Sequence, residues 1–210
     1  MSKTGSPVST RRRRLSVEER RGELLQVGAE VFSSQPFGEV WVNDVAKRAG
    51  VSPALLYHYF GNKRGFLLAV VRYESDNLLA ATAPQPGLQR EQVLQVAFDA
   101  YLDHLEAHPH GYRAVYGGAA GADTEIRTIV EANHAEQRRR ILDWLTQGEP
   151  PTEQLRLAVH GWFAGVVAMC LDWLDRPALD RTQLRDLGIA MLTASAASAG
   201  CPVDPRPDDA

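Results

Sequence analysis

Cysteine, methionine and long apolar runs are scarce in this chain. Its 210 residues include two cysteines, Cys170 and Cys201, and three methionines. No uninterrupted apolar run reaches the roughly 18 residues that a membrane-spanning helix requires. Two cysteines in a chain of this length do not make a disulfide framework, so a reducing compartment fits. We therefore expect a cytoplasmic protein without a membrane partner.

The sequence also lacks the motifs of common enzyme classes. It contains no G-x-S-x-G elbow, phosphate-binding loop, dinucleotide fingerprint or H-E-x-x-H pair. The acidic residues Asp99, Asp103 and Glu106 have the spacing of the solvated face of an amphipathic helix. These absences favour a binding protein over an enzyme, and we expect no cofactor.

The charge is divided unevenly along the chain. The first 72 residues contain 12 lysine and arginine residues against 6 acidic residues, whereas the rest contains 11 against 20. A basic segment is the electrostatic footprint of a module that contacts phosphates. The acidic remainder would be repelled by a nucleic acid, so it must have another role.

The most specific local pattern is a helix-turn-helix near the amino terminus. A segment with helical spacing, 42–49, is followed by Gly50, a residue that supplies a left-handed turn at a helix end. Ser52 can cap the next helix, and Pro53 at its first position loses no hydrogen bond. Two helices joined in this way place a recognition helix in the major groove of DNA.

With these residues the chain resembles the tetracycline-repressor (TetR) family of one-component bacterial regulators. The resemblance covers roughly residues 17–72, about a third of the chain. Beyond them, the chain is similar to the family in length and helical character. The positions that carry the resemblance are Phe32, Val45, Ala46, Ala49, Gly50, Val51, Ser52, Leu56, Tyr57, His58, Tyr59, Phe60, Asn62, Lys63, Phe66 and Leu67.

The resemblance implies a set of DNA contacts. Hydroxyl, phenol, imidazole and ammonium groups would hold phosphates, which fixes the register on DNA without reading the sequence. These groups belong to Ser52, Tyr57, His58 and Lys63.

Base contacts would fall to Pro53, Ala54 and Leu55, with Asn43 from the preceding helix. The first two can touch only thymine methyl groups or sugars. We assign Leu56 and Phe60 to the core, and Tyr59 stays open between the core and DNA.

Trp41 departs from the family pattern, which usually has Thr or Ser there. Its indole N–H can donate to a phosphate but cannot accept from helix amides. Asn43 or Asp44 would then cap the helix instead and start it a turn later.

Helical periodicity and end signals predict an all-α protein of about nine helices. Its three-helix head with the helix-turn-helix precedes a helical ligand-binding and dimerisation domain. Capping signals predict helices that start after Ser16, Asn62, Thr152 and Asp180. The expected divisions are a disordered basic arm (1–14), the DNA-binding domain (15–61), a connecting helix (62–83), the C-terminal domain (84–200) and a disordered tail (201–210).

Polar and aromatic residues interrupt the apolar faces of the C-terminal domain. An apolar cavity with a few polar groups is the usual form of a small-molecule site. We predict an effector site formed by Tyr101, His104, Tyr112, Tyr116, Trp144 and Phe163. For each of them alone, core packing is the competing interpretation. His104 and His108 lie one helical turn apart, but no carboxylate is in register with them, so we expect no metal.

Small residues line two helices near the C-terminus and predict a four-helix dimer interface. They are Gly161, Ala164, Gly165, Ala168, Gly188, Ala190, Ala194, Ser195 and Ala197.

Together these patterns favour a homodimeric, ligand-responsive transcriptional regulator associated with the nucleoid. Its partners would be a palindromic double-stranded DNA operator and a small hydrophobic or aromatic effector. A repressor is the favoured form. The alternative is a helical enzyme or carrier for a small apolar molecule, with the N-terminal module used only for docking.

Overall fold

The computed structural model describes residues 16–34, 42–117 and 123–203, with the exception of the Glu91 side chain. These ranges contain nine α-helices and no β-strand. The helices are α1 (Val17–Ser34), α2 (Val42–Ala49), α3 (Pro53–Phe60), α4 (Lys63–Ala81), α5 (Arg90–Ala107), α6 (Pro109–Tyr116), α7 (Thr124–Thr146), α8 (Glu153–Asp175) and α9 (Arg181–Ser198). The predicted all-α class is confirmed.

The helix starts follow the capping residues predicted from the sequence. The Ser16 amide donates to Glu19 Oε2 at 2.7 Å, and the Glu19 amide donates to Ser16 Oγ at 3.1 Å, which completes a capping box. Asn62, Thr152 and Asp180 accept from backbone amides at the starts of α4, α8 and α9. Each cap satisfies an amide that the helix itself leaves without a partner.

Helix α2 begins at Val42, so the interpretation that it starts a turn later is wrong. Trp41 lies outside the described residues, as do the predicted basic arm 1–14 and most of the predicted tail.

Helix α4 is shared by two hydrophobic cores. Phe66 and Val70 pack into the core of the head, which α1, α2 and α3 complete. One turn or more further along, Leu78 packs into the larger core formed mainly by α5, α8 and α9. Between them, Val71 joins a small cluster with α7. The head and the C-terminal domain are thus built on a single continuous helix.

Close approach of α1 to α4 depends on Gly28. A Cβ atom there would lie 2.6 Å from Phe66 Cζ and 2.8 Å from a Val70 methyl carbon, both shorter than real Cβ contacts. Gly188 has the same role between α9 and α5, because its missing side chain makes room for the ring of Phe98. The prediction that Gly188 faces a second copy is therefore wrong, and it packs within the chain.

Helix α8 is the central helix of the C-terminal domain. Among the described residues it is the one helix long and apolar enough, by length and composition alone, to cross a membrane, with a mean hydropathy of 1.5 over its most apolar window. It buries Trp162, Phe163 and Val166 in the protein core, as the core helix of a globular domain does. Only 28% of that window is buried, so α8 also presents an apolar surface.

Candidate DNA interface and effector cavity

The turn between α2 and α3 has the backbone geometry that the sequence predicts. Gly50 adopts a positive φ of 66°, the left-handed region in which a side chain is strained. The Ser52 hydroxyl accepts from the Leu55 amide at 3.3 Å, and Pro53 occupies the first helical position. These features end α2, turn the chain and start α3 within four residues.

The residues predicted to contact DNA are solvent-exposed. One exposed face of α3 begins at its N-terminus and continues one helical turn later. It carries Ser52, Pro53, Ala54, Tyr57 and His58. Tyr57 is 44% exposed, a high value for an aromatic residue. Asn43 on α2 and Lys63 at the start of α4 are exposed as well. The DNA contacts of all these residues stay predictions.

The opposite face of α3 holds it on the head. Leu56 is 1% exposed, and Phe60 packs edge-on against Phe66 with ring centroids 4.9 Å apart. Both predicted core assignments are confirmed. Tyr59 is partly buried against the same core, which settles its position on the packed side of α3.

The C-terminal domain contains a partly open cavity of about 540 Å³. Its wall comes from α5, α7, α8, α9 and the segment that follows α4. The volume lies within the range of about 300–1,000 Å³ found for small-molecule sites. Most of the lining is aliphatic or aromatic, including Leu88, Val93, Leu94, Val96, Ala97, Phe98, Tyr101, Ile141, Trp144, Trp162, Phe163, Val166, Ile189 and Leu192.

The six predicted effector residues divide between two cavities. Tyr101, Trp144 and Phe163 line the large cavity. The other three, His104, Tyr112 and Tyr116, line a cavity of about 60 Å³ between the head and the C-terminal domain.

Aromatic contacts connect the two groups. The hydroxyls of Tyr101 and Tyr112 share a hydrogen bond of 2.6 Å. His134 stacks on Tyr116 with ring centroids 5.1 Å apart and meets Phe163 edge-on at 4.9 Å. Burial raises the pKa of the Tyr101, Tyr112 and Tyr116 hydroxyls above 10.0. The boundary between the cavities therefore carries uncharged phenols.

Polar groups of the large cavity are concentrated at Trp144 and on one side of α7. Within the described part of the chain, the buried indole N–H of Trp144 has no hydrogen-bond partner. The guanidinium of Arg90 lies over the indole ring at 4.6 Å from its centroid. Arg139 and Arg140 are both paired with Glu136, at 2.8 and 2.9 Å. Arg139 is also paired with Asp143, so the two positive charges face two carboxylates of the same helix.

Two hydrogen bonds join the cavity wall to α4. Gln137 lines the cavity and donates to the Asn133 side chain at 2.5 Å, and Asn133 donates to the backbone carbonyl of Ser75 at 2.8 Å. Arg140, another lining residue, donates to the carbonyl of Leu79 at 2.6 Å. Asn133 and Gln137 are 2% and 7% exposed, and such buried polar groups are costly unless paired.

Sequence reasoning missed these three residues. Asn133, Gln137 and Arg140 recur at spacings of four and three on the helix that carries the apolar positions Ile126 and Ile141. Polar groups repeated on an apolar helical face are the signal that could have identified them.

The small cavity contains a cluster of ionisable residues. Glu74 Oε2 lies 3.4 Å from His108 Nε2 and 3.7 Å from His104 Nε2. Burial and the neighbouring His108 lower the pKa of His104 to about 4, and burial raises the pKa of Glu74. The expectation of no metal depended on the lack of a carboxylate in register, but α4 brings Glu74 to both histidines.

Comparisons with known proteins agree with this architecture. Residues 24–70 match the family profile described as bacterial regulatory proteins, tetR family, and residues 90–194 match the tetracyclin repressor-like C-terminal domain.

Individual relatives match over most of the chain. The HTH-type transcriptional activator FasR of Mycolicibacterium smegmatis is 35% identical over 169 residues, which are 78% of this chain and 77% of that protein. The HTH-type transcriptional repressor KstR2 of Mycobacterium tuberculosis is 32% identical over 139 residues, 63% of this chain and 68% of that protein.

Among solved structures, a tetR-family transcriptional regulator from Streptomyces coelicolor is 30% identical, with a TM-score of 0.77 over 89% of this chain and 87% of that one. These matches favour a regulator over a helical enzyme or carrier. The chain belongs to the TetR family and is a ligand-responsive, DNA-binding transcriptional regulator.

Proposed function

We propose that this regulator is a homodimeric repressor that leaves an inverted-repeat operator when an apolar effector fills the 540 Å³ cavity. The observation that carries the proposal is that the cavity wall is hydrogen-bonded to α4, the helix on which the DNA-binding head is built. The relatives include both an activator and a repressor. A reporter assay shows whether this protein activates or represses transcription.

The DNA end of the proposal rests on exposed groups around α3. Ser52 and Lys63 lie at the N-termini of α3 and α4, where free amides and the helix dipole favour a phosphate. Tyr57 and His58 offer further donors on the exposed face of α3. Pro53 and Ala54 beside them favour contact with thymine methyl groups.

The dimer end rests on the apolar surface of α8 and α9. Leu157 on α8 and Leu187 on α9 are 66% and 42% exposed, high values for large aliphatic side chains. Small exposed side chains let a second pair of helices approach closely and form a four-helix interface. They are Gly161, Ala164 and Ala168 on α8 and Ala190, Ala194 and Ala197 on α9.

The cavity chemistry supports a hydrophobic or aromatic effector. Its lining is mostly apolar, and the arginines at its edge are already paired with Glu136. An anionic ligand would have to break those pairs. The free indole N–H of Trp144 adds one donor, which fits an apolar molecule with a single acceptor.

Coupling between the two ends runs through α4 in this proposal. An effector that displaces Gln137 or Arg140 would pull on the Asn133–Ser75 and Arg140–Leu79 hydrogen bonds. Tilting α4 would change the separation of the two recognition helices in a dimer. An effector can shift this equilibrium only by its difference in affinity for the two arrangements.

The test uses fluorescence anisotropy on labelled DNA from upstream of the protein's own gene. We expect binding that weakens with salt, footprint protection of an inverted repeat, and release by apolar compounds that quench tryptophan fluorescence. A folded dimer that gives a flat signal at low salt, or that protects a direct repeat, would contradict the proposal.

A matched pair of variants tests the coupling path. Asn133→Ala removes the hydrogen bond to the Ser75 carbonyl, so we expect the effector to release this variant from DNA much less than the wild type. Thr128→Ala removes an exposed side chain of the same helix that bonds only locally, and should respond normally. Equal release of both variants would show that Asn133 does not carry the coupling.

A further inference from the structure

We propose that Glu74, His104 and His108 form a binding site for one divalent transition-metal ion, of the Zn²⁺ class, where the DNA-binding head meets the C-terminal domain. One carboxylate oxygen and two imidazole nitrogens are the ligand set that zinc commonly takes from protein, with a fourth position left for water. This site is separate from the effector cavity and does not depend on the proposed function.

The three ligand atoms already converge. Glu74 Oε2 and the histidine nitrogens all lie within 4.8 Å of one another, although the residues come from α4, from α5 and from the junction of α5 and α6. Metal–ligand bonds of about 2.0–2.2 Å would need a further contraction of roughly 1 Å between the histidines. Small rotations about the side-chain torsions of Glu74 and His104 would supply such a movement without a change of the backbone.

The environment of the Glu74 carboxylate favours binding of a cation. Among the described residues, Glu74 Oε2 is buried and has no hydrogen-bond donor, whereas its other oxygen accepts from the Asn77 amide at 3.4 Å. A buried carboxylate oxygen without a donor is costly. The two groups that face this oxygen are imidazole nitrogens, which can bind the same metal ion as the carboxylate.

The orientation of His108 gives an independent argument. The Ser33 hydroxyl donates its only hydrogen to the Ala29 carbonyl at 2.7 Å. In its second hydrogen bond, of 2.6 Å to His108 Nδ1, the hydroxyl oxygen must therefore accept, and His108 carries its hydrogen on Nδ1. In the neutral imidazole the lone pair is then on Nε2, the atom that faces Glu74. A histidine held by an oxygen at one nitrogen and open at the other is typical of metal ligands.

An ion at this point would join elements of both domains. Glu74 belongs to α4, the histidines belong to α5 and its end, and Ser33 supports His108 from α1 of the head. The small cavity lined by these residues and by Gly111 and Ala114 provides the space.

The test is metal titration of tag-free protein after removal of metal by a chelator. We expect one Zn²⁺ per chain by competition with a fluorescent chelator, a tetrahedral Co²⁺ absorption spectrum, and a rise in unfolding temperature with metal. Glu74→Gln and His104→Gln keep the side-chain size and should abolish this stoichiometric binding.

Two further variants make the result specific. Ser33→Ala leaves all three ligands in place and should weaken zinc binding by about tenfold or more, because it removes the group that orients His108. His160→Gln changes an exposed histidine of α8 and should bind zinc like the wild type. Absence of one-to-one binding, or equal binding by Glu74→Gln, would overturn the proposal.

Discussion

At the scale of single residues, the proposed DNA contacts act mainly through charge and hydrogen-bond donors. Lys63 is exposed at the first position of α4, next to the Asn62 cap. A cation there is unfavourable for the helix dipole, which favours negative charge at an N-terminus. In the proposed complex this charge would lie against a DNA phosphate, an anion that the N-terminus of the same helix favours.

Replacing Lys63 with alanine tests this explanation. We expect affinity to fall similarly for operator and unrelated DNA, because phosphate contacts carry no sequence information. The slope of log K against log salt should shrink by roughly one to two units, at about 0.9 for each phosphate contact and two subunits bound.

Arg156→Ala is the control for Lys63→Ala, since it removes an exposed positive charge near the N-terminal end of α8, in the C-terminal domain. Its salt slope should equal that of the wild type. If Lys63→Ala has the same salt slope as the wild type, Lys63 does not contact a phosphate.

His134 makes the stability of the C-terminal domain depend on pH. Burial between Tyr116 and Phe163 lowers the His134 pKa from 6.5 to about 4. The unfolded chain therefore binds more protons between these two values, and stability falls as pH decreases through that window. The contribution of this histidine is at most about 1.4 kcal/mol per pH unit.

His134→Phe keeps an aromatic ring and removes the titrating group. Urea unfolding in a chelating buffer, repeated between pH 7.5 and about pH 5, should show a smaller loss of stability for this variant than for the wild type. Parallel curves for the two proteins would argue against a neutral, buried His134.

At the scale of elements, the packing of α1 on α4 forms much of the core of the head. Two glycines of α1 separate the effect of packing from that of helix propensity. Gly28 is buried against Phe66 and Val70, whereas a Cβ at Gly22 would meet no atom within 4 Å.

Gly28→Ala should destabilise the protein by about 1–3 kcal/mol of overpacking, reduced by up to about 1 kcal/mol of gained helix propensity. Gly22→Ala gains the propensity alone and should raise stability by up to about 1 kcal/mol. Thermal or urea unfolding of the two variants gives the comparison. Similar stabilisation of both would show that α1 and α4 are not in close contact at Gly28.

Helix starts were predictable from sequence because capping is local. A cap needs a side-chain oxygen within three residues of the amide that it satisfies, as at Ser52 and Asn62. The same holds for the left-handed turn at Gly50, which depends on one residue. The positions of α3 that are predicted to contact DNA came from the family resemblance, and the structure leaves them exposed.

Contacts between distant helices were not predictable in this way. Glu74 is 30 or more positions away in sequence from the histidines that it faces, and helical spacing within α5 carries no information about α4. The same limit explains why six aromatic and polar residues predicted as one site divide between two cavities. A count of uninterrupted apolar residues also did not show how apolar α8 is, because polar residues interrupt its runs while its mean hydropathy stays high.

At the scale of the whole molecule, the division of charge and the division of the fold coincide. Helices α1 to α3 and the first half of α4 lie in the basic first 72 residues of the sequence, and α5 to α9 lie in the acidic remainder. Repulsion keeps the acidic part away from DNA, so a dimer would present its two heads on the same side. Two recognition helices related by a two-fold axis require half-sites about one helical turn or more apart.

Reciprocity between ligand and DNA is the strictest test of such a dimer. If an effector weakens operator binding by some factor, the operator must weaken effector binding by the same factor, because both are one coupling free energy. A tenfold effect corresponds to about 1.4 kcal/mol. Tryptophan fluorescence with and without saturating operator, and operator anisotropy with and without effector, measure the two factors independently.

A pair of tryptophan variants tests whether the effector binds in the large cavity. Trp144→Ala removes a large side chain from the cavity wall and should weaken effector binding about tenfold or more, since burial of such a group contributes about 1.5 kcal/mol or more. Operator affinity without effector should stay unchanged, because Trp144 lies in the C-terminal domain. Trp173→Phe, nearer the end of α8 and outside the cavity lining, should leave both affinities as they are. If Trp144→Ala binds the effector as well as Trp173→Phe does, the effector lies elsewhere, and the small cavity beside Tyr112 and Tyr116 becomes the next place to test.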